Sequence, residues 1–233
     1  MSGKPVFPKS RTERGFLAVV VAGAFCCAAF AAAAQAPSVD PGSQVQPSYF
    51  GTRELRASNL EAFKQWNGAL ERFSKESAEK LDGSCEEKRL NACNYLKLKQ
   101  YLDSIRAKDR LAQVVAVNAL INKGKYVSDD SNWNQKDYWN SPGEFMSRFG
   151  DCEDFAIAKF VALQMLGFAP DQTRIVAVKD LNLKIGHAIL VVFLDGKVLV
   201  LDNQISQVIE ASKIRHYDPV FSINKNYWWR HLR

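Results

Sequence analysis

The chain has 233 residues, of which 31 are Lys or Arg and 25 are Asp or Glu, a formal net charge of +6. Four of those basic residues and Glu13 fall within the first 36 positions, so the remaining 197 residues carry 27 basic against 24 acidic groups, a net +3. That balance, without a dense basic stripe interleaved with aromatics, excludes nucleic acid as a partner, and 197 residues suffice for one domain with a full core.

The first 36 residues read as a secretory signal peptide. Lys4, Lys9, Arg11 and Arg14 form its basic start, and Phe16 to Phe30 is an uncharged apolar run. The small residues up to Ala36 offer Ala-x-Ala cleavage choices near Ala34 or Ala36. The alternative is an uncleaved anchor, but the run is short against the roughly 20 residues that a membrane span needs. Cys26 and Cys27 lack the small residues that lipidation requires before the cysteine. Residues 37–50, with Pro37, Pro41, Gly42 and Pro47, form a linker or extended arm, and residues 51–233 form the domain.

Helical periodicity starts near residue 58 and runs to about 81, where Leu60, Phe63, Trp66, Leu70 and Phe73 make an apolar stripe. A second helix is expected over residues 91–105 and a third over 107–122, ending at Gly124. Cys85 and Cys93 lie eight residues apart across a turn near Asp82-Gly83-Ser84 and are either disulfide-bonded or both free; Cys152 is the odd thiol. Residues 129–133 read as a polar loop. Ser141-Pro142-Gly143-Glu144 carries a capping-box pattern with Pro at the first helical position, and opens a short helix that stops at Gly150. The next helix opens at Cys152 and ends at Gly167.

Beyond that point the period becomes that of strands: residues 173–179, 185–194 and 197–201, with weaker candidates at 205–209 and 220–224. Asp195-Gly196 is a two-residue hairpin signal. Helices first and antiparallel strands afterwards give an α+β fold. Trp228-Trp229 is either core or an exposed partner patch, and core is the reading preferred.

Three separated segments carry the chemistry: Gly150-Asp151-Cys152-Glu153-Asp154, Gly186-His187-Ala188 and Leu201-Asp202-Asn203. A thiol needs a base to become a thiolate, and the base needs a third group to hold its tautomer. Cys152 at a helix start meets unpaired N–H groups and a dipole that favour a thiolate and an oxyanion. With Asp195 and Gly196 as turn residues, Asp202 faces Ile189 and His187 faces Gln204. His187 and Asp202 then share one face in a diagonal relation, about 7–8 Å apart at the backbone. A one-residue slip would separate them. His216, in a polar run, and His231, close to the end of the sequence where fraying is expected, have no comparable partner.

Asp151, Glu153 and Asp154 crowd the thiol with negative charge that would raise its pKa, so an imidazolium or a divalent cation must offset them. Carboxylates at a helix start also complement the dipole without any metal. Three of them, with Asp129 and Asp130 upstream, suit hard-oxygen ligation of Ca²⁺ rather than zinc.

On these residues, with Trp139 and Lys159 in the segment 133–166, the chain resembles the transglutaminase-like superfamily and, more narrowly, the bacterial transglutaminase-like cysteine proteinases of the LapG group. The resemblance covers about residues 50–230. It implies a papain-like core in which N-terminal helices, with the nucleophile at a helix start, pack on an antiparallel sheet. It further implies a calcium-dependent periplasmic endopeptidase that cuts a large surface adhesin near its N-terminus at a dialanine site, releasing cells from biofilm. An inner-membrane cyclic-di-GMP receptor would sequester and inhibit it. Carried across, Cys152 is the nucleophile, His187 the general base and acid, and Asp202 the orienter; Asp151 and Glu153 match the calcium-linked carboxylates, with Asp154 a further ligand. The same triad serves a transglutaminase that passes the acyl group to an amine, and the fold also serves non-catalytic binding modules.

Overall fold

The computed structural model describes residues 46, 47 and 49–233. The expected signal peptide and most of the expected arm lie outside the described residues. Among the described residues six α-helices and one mixed-order sheet make an α+β architecture: α1 Lys64–Ala78, α2 Leu90–Ile105, α3 Arg110–Ile121, α4 Asp129–Trp133, α5 Pro142–Arg148 and α6 Cys152–Met165. The strands are β1 Gln46–Pro47, β2 Arg53–Ala57, β3 Thr173–Asp180, β4 Ile185–Leu194, β5 Lys197–Leu201, β6 Ile209–Glu210, β7 Tyr217–Ile223 and β8 Trp228–Leu232. All pairings are antiparallel, in the order β1-β2-β8-β7-β3-β4-β5-β6. Among the described residues no helix is long and apolar enough to cross a membrane.

The helix α6 is the centre of the molecule. Its residues from Cys152 to Leu163 are all buried, because α3 and α5 cover one side while β3 and β4 cover the other. The main core joins Trp66, Leu98, Val117, Phe145, Phe160 and the helix-facing residues of the sheet, with Trp66 and Phe160 meeting edge to face at 5.2 Å. A second, smaller core lies around Val176, Ile189, Val191, Val200 and Tyr217, on the other side chains of the same strands.

Local chemistry sets the helix ends. Asp109 caps α3 by accepting from the Ala112 N–H, and Ser141 and Glu144 form the expected capping box at α5 with Pro142 at its start. Buried Glu76 of α1 accepts from Ser141 Oγ and from the Gly143 N–H, which ties this start to the helical layer. Asp195 (φ 49°) and Gly196 (φ 73°) both adopt positive φ, so the β4–β5 turn matches the strand twist and sets Leu194 opposite Lys197 and Leu190 opposite Leu201.

Four expectations change. Residues 129–133 form the short helix α4 rather than a loop. Residues 53–57, which carry no clear alternation, form β2 and pair with β8. The weak strand at 205–209 shrinks to β6, and the one at 220–224 becomes the seven-residue β7. His231 does not fray: it is buried in β8 and bridges Thr52 Oγ1 and Ser222 Oγ at 3.1 Å each. Cys85 and Cys93 form a disulfide across the α1–α2 connection, and Cys152 is a buried free thiol.

Candidate active site and metal centre

The segment before α6 is held from several directions. The carbonyl of Gly150 accepts from the Val127 N–H at 2.9 Å, next to a parallel bridge between Tyr126 and Gly150. A Cβ on Gly150 would stand 1.9 Å from Asp154 Oδ2 and 2.7 Å from Asn140 Nδ2, so glycine is the residue that lets this carboxylate pack against the chain. Phe149 adopts φ 61° and ψ −161°, a region costly for a residue with a side chain. Its carbonyl is fixed by Asn132 Nδ2 at 3.1 Å and Asn140 Nδ2 at 3.0 Å.

Asp151 is the N-cap of α6, and its N–H donates to the carboxylate of Asp154 three residues on. Asp154 is fully buried and accepts from the Asn140 N–H (2.6 Å), Asn140 Nδ2 (2.8 Å) and the Asp151 N–H (3.2 Å). Burial, and then the charge of Asp151, push its carboxyl well above the usual range. Asp154 is therefore a bracket for the nucleophile loop. The carboxylates that converge are Asp129, Asp151 and Glu153, all buried, each with an oxygen within 4.8 Å of the others. Asp130, which is exposed, and Asp154, which is buried, lie outside this group. A donor set made of anionic oxygens fits a hard divalent cation and not zinc. Asp129 arrives because α4 begins there, and its Oδ2 also accepts from the Tyr138 N–H at 2.6 Å.

Cys152 opens α6, buried, and its Sγ donates to Glu153 Oε2 at 3.0 Å. It lies near enough to Tyr217 for its charge to help raise that phenol, and the Tyr217 ring stands 5.8 Å from the imidazole of His187. His187 Nε2 is 2.9 Å from Asp202 Oδ1. An ionised carboxylate can only accept, so Nε2 carries the proton and Nδ1 offers its lone pair. Gln204 Nε2 stands 3.5 Å from that Nδ1.

Asp202 is held on every side. Oδ1 also accepts from the Gln204 N–H at 2.8 Å, Oδ2 accepts from Tyr217 Oη at 2.6 Å, and the backbone carbonyl accepts from Asn122 Nδ2 at 2.7 Å. Burial works to raise its pKa, but the hydrogen bond and charge of His187, with Tyr217 and the Gln204 N–H, hold the carboxyl below the usual range. Burial and the neighbouring carboxylate together drive the Tyr217 phenol far up, so it stays a donor at any working pH.

The fold thus brings His187 and Asp202 into contact, with Tyr217 holding the other oxygen of Asp202. Asp154, whose oxygens accept from Asn140 and the Asp151 N–H, is not one of the three converging carboxylates. Sequence reasoning places Gln204 opposite His187 but does not reach Tyr217, Asn122 and Asn140. No spacing marks these three, because each arrives on a different element.

A profile of the family described as bacterial transglutaminase-like cysteine proteinase BTLCP matches residues 83–232. The structure of Legionella pneumophila LapG with calcium bound is similar at 30% identity and a TM-score of 0.55, covering 69% of this chain and 87% of that one. A further Legionella pneumophila LapG structure is 28% identical, with a TM-score of 0.54 over 70% of this chain and 87% of that chain. The EGTA-treated form gives 28% identity and a TM-score of 0.54, covering 70% and 84%. No curated protein sequence matches the chain.

Proposed function

The chain belongs to the bacterial transglutaminase-like cysteine proteinases, and from that premise we propose that it is a calcium-dependent periplasmic cysteine endopeptidase. Its substrate is the N-terminal region of a large surface adhesin, cut at a dialanine site to release cells from biofilm. An inner-membrane cyclic-di-GMP receptor inhibits it by sequestration. The observation that carries the catalytic reading is the His187 Nε2–Asp202 Oδ1 hydrogen bond of 2.9 Å, which leaves Nδ1 as the working nitrogen.

In this reading His187 Nδ1 takes the proton from Cys152, and the sulfur attacks the scissile carbonyl. The charge that develops on the carbonyl oxygen is met by the Cys152 N–H and the start of α6. His187 returns the proton to the leaving amine, so the peptide bond breaks as a thioester forms. It then removes a proton from water, and hydroxide transfer to the thioester releases the acid and restores the thiol. Asp202 holds the tautomer throughout.

Asp129, Asp151 and Glu153 would hold calcium, whose positive charge, when bound, offsets the carboxylates that flank the thiol. Calcium-bound and EGTA-treated structures of the similar Legionella pneumophila LapG support this assignment. Glu153 matters twice here, because its Oε2 also accepts from Cys152 Sγ.

The test is cleavage of an adhesin N-terminal fragment bearing a dialanine site, first with calcium and then with chelator. Cutting that chelator abolishes, calcium restores and Cys152→Ala lacks is the expected result. Cutting indifferent to chelator would remove the calcium assignment. No cutting by folded, calcium-loaded protein, with an added primary amine coupled to glutamine side chains instead, would replace proteolysis by amine transfer.

A further inference from the structure

The short helix α4 carries two side chains that bear on the nucleophile loop. Asp129, at its start, is one of the three converging carboxylates. Asn132, three residues on, donates from Nδ2 to the Phe149 carbonyl at 3.1 Å. Positions three apart are neighbours on a helix. The turn between them is closed by the Asn132 N–H, which donates to the Ser128 carbonyl at 2.9 Å. A displacement of Asp129 is therefore passed on to Asn132.

The receiving end is strained. Phe149, at φ 61° and ψ −161°, holds a conformation that persists only where its surroundings impose it. Gly150, Asp151 and Cys152 follow directly, so the course of the chain out of Phe149 sets where the thiol stands. Two amides grip the Phe149 carbonyl. Asn140 Nδ2, at 3.0 Å, also donates to buried Asp154, and so belongs to the fixed bracket of the loop. Asn132 belongs instead to the element that brings a carboxylate to the metal centre. Arg148 adds to that link, because its Nη1 donates to the Asn132 carbonyl at 3.4 Å and its guanidinium lies 4.7 Å from the Trp133 ring.

Three carboxylates with oxygens within 4.8 Å repel one another unless a cation lies among them. Glu153 is fixed on the buried α6 and Asp151 at its N-cap, whereas Asp129 rides on a helix of five residues, so the repulsion falls mainly on α4. We infer that Asn132 is a positioning residue that couples the metal centre to the nucleophile loop: when the three carboxylates are drawn together, α4 seats, and the Asn132 amide clamps the Phe149 carbonyl in the conformation that presents Cys152. The inference rests on the calcium assignment above and not on the identity of the substrate. Its rival is that Asp151, itself one of the three carboxylates, places the loop unaided.

The test is amide hydrogen exchange by NMR on the ¹⁵N-labelled chain from residue 37, with calcium and with chelator. The reporter is the Phe149 N–H, which donates to the Phe145 carbonyl at 2.7 Å and belongs to none of the three carboxylate residues. In the parent, calcium slows its exchange about tenfold. In Asn132→Ala, or in Asn132→Ser should the first variant fail to fold, most of that slowing is lost. Coupling is reciprocal, so calcium binding, measured by titration calorimetry, weakens in the same variant by about tenfold. Asn140→Ala is the control: losing the fixed grip speeds exchange in both states and preserves their ratio. Slowing and affinity equal to the parent's in the Asn132 variant overturn the inference and leave placement to Asp151. Equal loss of the ratio in both variants overturns it too, since Asn132 would then be one structural hydrogen bond among others. A parent that binds no calcium sinks the metal assignment and the inference together. A protein that shows the coupling but cleaves nothing sinks the protease reading and leaves the coupling standing.

Discussion

Tyr217 illustrates how much one side chain outside the triad can carry. Its Oη is the donor to Asp202 Oδ2, at 2.6 Å in a buried setting. Tyr217→Phe leaves that oxygen without its donor, at a cost of about 1–3 kcal/mol. The Asp202 carboxyl then moves up toward its ordinary pKa, and kcat falls about tenfold with little change in KM. Urea unfolding and steady-state cleavage, measured side by side, check this; a variant equal to the parent in both would show that Tyr217 does not hold Asp202. The sequence makes His187 and Asp202 legible as neighbours because a two-residue turn at Asp195-Gly196 sets the parity of every position on both strands. It does not make Tyr217 legible. That contact depends on the path of residues 203–216, which no local pattern specifies. Asp154 shows the opposite difficulty. Its charge suggests a ligand, yet what its oxygens do is decided by Asn140, fourteen positions earlier, and by the bare Cα of Gly150.

Individual elements carry their own stabilities. The join between β2 and β8 centres on His231, buried between Thr52 and Ser222. Burial, and next the nearby Arg174 charge, bring its pKa from 6.5 down to about 4. Below pH 6.5 the unfolded chain therefore takes up a proton that the folded chain refuses. Stability from this site is fully present above pH 6.5 and drains away as the pH falls toward 4, by up to roughly 3 kcal/mol. His231→Gln is less stable at neutral pH but has a flatter acid limb in urea titrations; parallel limbs would refute this account. The α1–α2 connection has a different clamp. The Cys85–Cys93 bond closes a loop with a sequence separation of 8, and by loop closure such a bond contributes about 2–3 kcal/mol. Cys85→Ala/Cys93→Ala should lower the free energy of unfolding by that amount in urea titrations, and the oxidised parent treated with reductant should match it. The apolar stripe of α1 and the capping box of α5 are readable from sequence, because both are spacing rules within a few residues. The strand β2 is not. Its five residues, Arg-Glu-Leu-Arg-Ala, become a strand because β8 is there to pair with them.

The whole molecule is a helical layer on a single eight-stranded sheet, and the order of that sheet is its most consequential property. The strand β8, from residues 228–232, lies between β2 and β7, so one of the first segments of the domain reaches the sheet only through one of its last. The α+β class is legible from the change of period near residue 173, but this interleaving is not, since strand order leaves no local trace. Its consequence appears during synthesis. A chain that has emerged only as far as residue 227 holds every catalytic candidate and nearly all of α6's packing partners, yet β2 pairs only with the two residues of β1, cut off from the rest of the sheet, and β7 presents an open edge. Such edges invite neighbouring chains. Completion of the fold is a late, all-at-once event tied to five residues, and pairing over so long a sequence separation is slow. Stalled or clipped products ending before residue 228 would be sticky intermediates rather than slightly weakened enzymes.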